Sequence, residues 1–84
     1  MLVKTKSFSF IDKLTIELEE TTQGPLHVVL KSEDGKICCK TEKKISNGNS
    51  LINWEGLDEL PYGVYTVECS QGHDTVKVKT VKRI

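Results

Sequence analysis

The sequence contains no run of 18 or more apolar residues, which excludes a membrane-spanning helix and leads us to expect a soluble domain. It has no net charge either: twelve basic and twelve acidic residues cancel, so the broad positive field that non-specific nucleic-acid binding needs is missing. Its first residues, Met1-Leu2-Val3-Lys4-Thr5-Lys6, carry two lysines with no apolar stretch behind them, so no secretory signal peptide is expected in this chain. Aromatics make up only 6%. Trp54, Tyr62 and Tyr65 are more easily spent in a core than on a stacking platform for single-stranded nucleic acid.

The spacings that carry chemistry are also missing. Cys38, Cys39 and Cys69 with His27 and His73 are the material for a nucleophile and its base, but no nucleophile elbow or cysteine-protease signature surrounds them. No C-x₂-C, H-x₃-H or H-E-x-x-H spacing occurs, and Asp34-Gly35 lacks the ordered acidic ligands of a calcium loop. Glu17 and Glu19 share a strand face, yet the domain has neither the room nor the aromatic platform of a glycosidase cleft; solvated edge charges are expected there. The glycines at 24, 35, 48, 56, 63 and 72 are dispersed one per turn and build no phosphate-cradling loop. No enzyme activity, cofactor or metal is therefore expected. The cysteines are odd in number, and the adjacent Cys38 and Cys39 should point to opposite faces of a strand. We expect small buried side chains plus one exposed thiol, not a disulfide scaffold.

What is present is alternation of period two. Leu14-Thr15-Ile16-Glu17-Leu18-Glu19 reads as a half-buried strand, and Leu26 to Lys31 as a second with β-branched content. Asp34-Gly35 predicts a tight hairpin in which both central residues take positive φ, leading into a third strand from Lys36 to about Lys43. Asn47-Gly48 marks another turn before a strand over Asn49 to Glu55, in which Trp54 is expected to anchor one side of the core. Gly56 to Pro61 should be a loop, with room for one short helical turn. Two last strands follow, Val64 to Ser70 and Thr75 to about Lys82, joined by Gln71-Gly72-His73-Asp74; Tyr65, Val67 and Cys69 should share a face, as should Val76, Val78 and Thr80. Phe8 and Phe10 suggest a preceding strand or an extended lead-in. With 84 residues there is room for one domain, residues 1–84, whose first eight residues are expected to be a loose lead-in. The reading is all-β: an antiparallel sandwich of about seven strands.

Charge is unevenly distributed: Glu17, Glu19 and Glu20 lie early, whereas Lys77, Lys79, Lys82 and Arg83 follow Asp74 with no acid among them. Gly56-Leu57-Asp58-Glu59-Leu60-Pro61-Tyr62-Gly63-Val64-Tyr65-Thr66-Val67, then Gly72 and Lys77-Val78-Lys79-Thr80-Val81-Lys82-Arg83, resembles the carboxy-terminal sorting domain (type A) of cargo exported by the type IX secretion system of Bacteroidetes. Asp12 to Ile16 and Ser32 to Lys36 resemble that family's first strand and its hairpin. Where the family usually has a Pro-Asn-Pro segment, this chain reads Lys6-Ser7-Phe8-Ser9-Phe10-Ile11. The resemblance implies a seven-stranded Ig-like sandwich acting as a signal: part of a longer secreted protein, in the periplasm in transit to the outer membrane or the extracellular space. Its implied partners are the outer-membrane translocon, which recognises it, and a sortase-like peptidase, which removes it. The positions implied for recognition are Gly63, Tyr65, Gly72, Lys79, Val81, Lys82 and Arg83, on an expected edge strand with an exposed basic row. The alternative is an Ig-like accessory or adhesion module that binds a protein or carbohydrate ligand through loops at one end.

Overall fold

In a computed structural model that describes residues 2–3 and 8–83, the chain is all-β and forms two packed sheets. The strands are β1 (Leu2–Val3), β2 (Phe8–Phe10), β3 (Leu14–Thr21), β4 (Gly24–Ser32), β5 (Ile37–Ile45), β6 (Gly48–Trp54), β7 (Gly63–Gln71) and β8 (Asp74–Lys82). One sheet has the order β1-β3-β6 and the other β2-β8-β7-β4-β5. The alternation read in the sequence decides what lies between them. Leu14, Ile16 and Leu18 from β3 and Ile52 from β6 meet Leu26, Val28 and Leu30 from β4 and Tyr65, Val67 and Cys69 from β7, all buried. Two inner faces interdigitating in this way make a sandwich core, and the strand order, with the first strand divided between the sheets, is Ig-like.

Several expectations are corrected. Pairing is not wholly antiparallel: β2 runs parallel to β8, Phe8 opposite Thr80 and Phe10 opposite Lys82, and the Arg83 N–H donates to the Phe10 carbonyl at 2.7 Å. Part of the expected lead-in is thus strand, with β1 pairing to Leu18 and Glu19; residues 1 and 4–7 of it lie outside the described residues. Glu19 is not an edge charge, because β1 pairs with Leu18 and Glu19 on one side of β3 while β6 runs along the other. The loop before β7 makes a single turn, closed by the Leu60 N–H to the Leu57 carbonyl at 3.3 Å, where the sequence left room for one helical turn. Leu57 is 1% exposed, and its N–H donates to the Asp12 carbonyl at 3.0 Å, which plugs it into the core. Trp54 packs half-buried against that core, across from Leu14.

The turn between β4 and β5 also differs from the two-residue hairpin that Asp-Gly suggested. Gly35 alone has positive φ, 90°. The Gly35 N–H donates to the Ser32 carbonyl at 3.0 Å and the Ser32 N–H to the Lys36 carbonyl at 2.8 Å, which makes a three-residue loop with a glycine bulge. The Asp34 carboxylate selects it by accepting from the Ser32 hydroxyl and, at 3.4 Å, from the Lys36 N–H. Register breaks again further along β5, where Leu30 faces Cys39 but Lys31 faces Ile37. Cys38 is therefore the extra residue of a bulge, exposed, while Cys39 is half-buried and Cys69 buried, all three as free thiols.

Candidate partner-recognition surface

The two final strands form a nine-residue ladder, Gly63 opposite Lys82 through Gln71 opposite Asp74. Its base is set by Pro61. The Tyr65 hydroxyl donates to the Pro61 carbonyl at 2.6 Å, a tyrosine corner that holds the Leu60-Pro61-Tyr62-Gly63 turn against the start of the strand. Tyr65 is buried and its ring meets Phe10 edge-on, centroids 5.9 Å apart; burial first, and then the nearby Cys38 and Cys39, raise its pKa. Gly63 leads into β7 with φ 145°, a conformation that a side chain would strain. At the far end Gly72 takes φ 60° in a two-residue loop between Gln71 and Asp74, as a hairpin turn with glycine at its first central position requires.

The seven positions implied for recognition do not form one patch. Gly63, Tyr65, Lys79, Val81, Lys82 and Arg83 lie towards one end of the hairpin; Gly72 caps the other, roughly 25–30 Å away along the strands. Parity divides the first group again. Tyr65 and Lys82 face inward: Lys82 is 3% exposed, with its Nζ 5.7 Å from the Phe10 ring centroid, an aliphatic stem in the sandwich with a cation beside a ring. Lys82 therefore does not belong to an exposed basic row. Val76, Val78 and Thr80 share its parity and are half-buried or buried, whereas Lys77, Lys79, Val81 and Arg83 are exposed. The end of β8 is not an edge either, since Thr80 to Lys82 pair with β7 on one side and β2 on the other.

The outward side chains of this hairpin meet residues that sequence reasoning missed. Lys79 stands opposite Thr66 and Lys77 opposite Glu68; Thr66 and Glu68 are in turn paired to Lys31 and Val29 of β4. Lys31 Nζ sits 2.6 Å from Glu68 Oε2. That bond, with Lys77 adding to it, holds the Glu68 carboxyl below the usual range. Lys31, Glu33, Thr66, Glu68, Lys77 and Lys79 line an open groove, and Val64 and Val81, directly opposite each other, expose an apolar pair beyond it. Cross-strand register brings these groups together, and no local signal in the sequence announces it. Among the described residues no three His, Cys, Asp or Glu side chains are grouped to hold a metal ion, and no helix is long and apolar enough to cross a membrane. Compared with known proteins, the chain matches no family model and no curated sequence.

Proposed function

We propose that this domain is a sorting module of the type IX kind, recognised by an outer-membrane translocon while attached to a secreted cargo and then removed by a sortase-like peptidase. The observation that carries the reading is the composition of the outward face of β8: Lys77, Lys79, Val81 and, just past the strand, Arg83 are exposed together next to the turn that the Tyr65 to Pro61 bond anchors. A row of cations and an exposed valine pair on a rigid hairpin gives a protein partner charges to match and apolar area to cover. Gly63, Tyr65, Gly72 and Lys82 then shape and hold the hairpin without touching the partner.

The test fuses residues 1–84 to a periplasm-directed reporter in a host with this secretion system. Lys79→Glu with Arg83→Glu is expected to cut surface delivery by about tenfold or more, while Lys13→Glu, at an exposed position just before β3, leaves it unchanged. Undiminished delivery by the first variant sinks the reading. A second reading, an accessory module that binds a protein or carbohydrate ligand, draws on the open groove between Lys31 and Lys79. It predicts ligand binding that Thr66→Glu abolishes in the isolated domain.

A further inference from the structure

The β5 edge has a charge pattern that the sorting reading does not use. β5 is the last strand of its sheet, and among the described residues nothing pairs with its outer side. Beyond the Cys38 bulge, Cys39 to Ile45 pairs with β4 in unbroken register, so alternate residues over that stretch turn their N–H and carbonyl groups outward. Register also fixes the faces. Lys40, Glu42 and Lys44 stand opposite Val29, His27 and Pro25 on the outer face, whereas Lys43 stands opposite the buried Leu26 on the inner face, yet is itself exposed. A strand laid along this edge would run between Lys40 and Lys44 on one side and Lys43 on the other. Glu42, the acid of the stretch, lies 3.8 Å from His27 Nδ1.

We infer that the edge Cys39 to Ile45 accepts an extended acidic segment of a partner protein as an added strand. Backbone groups supply the ladder and the three lysines select the charge. The same stretch disfavours a second copy: in the antiparallel register that pairs all of Cys39 to Ile45, Lys40 of one copy would face Lys44 of the other and Glu42 would face Glu42. The Cys38 bulge bends the strand and limits the docking stretch to seven residues, about 23 Å at the rise of a strand.

The test titrates the isotope-labelled chain with a capped seven-residue peptide carrying glutamate at alternate positions. Amide shift changes and slowed exchange should be confined to Cys39 through Ile45 and the facing residues of β4. Binding should weaken several-fold when ionic strength rises from about 0.05 to 0.3 M. Methylating alternate peptide nitrogens, which removes the ladder donors, should abolish it. The exposed substitutions Lys40→Glu, Lys43→Glu and Lys44→Glu, made together, should lose the acidic peptide and gain a lysine-bearing one; that gain also demonstrates a folded variant. Equal binding of the methylated peptide, or shifts centred on Lys31, Lys77 and Lys79, would overturn the inference, as would self-association through β5.

Discussion

Tyr65 shows how one polar atom can hold a motif in shape. Its ring is committed to the core and its hydroxyl to the Pro61 carbonyl, so Tyr65→Phe keeps the packing and leaves that carbonyl without its donor. The expected cost is about 1–2 kcal/mol, read as a lower urea midpoint at unchanged slope; no loss would mean that the corner is incidental. Gln71 makes a similar clamp that composition did not reveal. Its Nε2 donates to the Thr22 carbonyl at 2.6 Å and its Oε1 accepts from the Thr22 N–H at 3.2 Å, which ties the β3–β4 turn to the end of β7. At Glu20 the register of β3 slips against β6, and the residue takes φ 58°. This slip turns Thr21 inward, where its hydroxyl donates to the Gly48 carbonyl at 2.6 Å. Glutamate is not a residue from which a left-handed bulge would be read, since glycine or asparagine usually occupies that conformation.

At the scale of elements, β8 cannot be removed without loss of the fold. Deleting residues 79–84 takes away the inward Thr80 and Lys82 and every rung of the β2–β8 pairing. We expect that truncation to lose cooperative unfolding, whereas the exposed Lys79→Glu and Arg83→Glu changes stay within about 0.5 kcal/mol of the parent. Urea denaturation of the three proteins checks both halves. The comparison matters because failed export of the truncation would report misfolding, while failed export of the point variants would report recognition. Six strands from Leu14 onward were legible with ends within about two residues, since alternation and turn residues are local signals. The strand at Phe8 and Phe10 was suggested as well, but not its parallel pairing with β8, which joins Phe8 to Thr80 across most of the chain and leaves no local trace. The inward side of Lys82 was legible from parity with Val78 and Thr80, but its charge argued the other way.

For the whole molecule, titration sets a window of stability. The Asp34 carboxyl is held low by the Ser32 hydroxyl and then the Lys36 N–H, and that of Glu68 by Lys31. Groups depressed on folding contribute stability above their unfolded values, about 4, and lose it as pH falls through the folded ones. Burial pushes the Cys69 thiol from 9.0 up to about 11, so above pH 9 it ionises more readily in the unfolded chain and stability falls until about pH 11. That fall is about 2–3 kcal/mol from Cys69 alone. Melting temperatures should therefore drop below pH 4 and above pH 9, and Cys69→Ala should flatten the alkaline limb; an unchanged limb would contradict the burial assigned to the thiol. The sequence by itself determined the all-β class, the strands from Leu14 onward and the buried faces of Tyr65, Val67 and Cys69, because strand alternation is written in neighbouring residues. Only the tertiary structure decided which strands are edges, that Lys31, Thr66 and Glu68 stand beside Lys77 and Lys79, and that Leu57 plugs the core. Those facts depend on strand order and register, which long-range packing selects and no local pattern encodes.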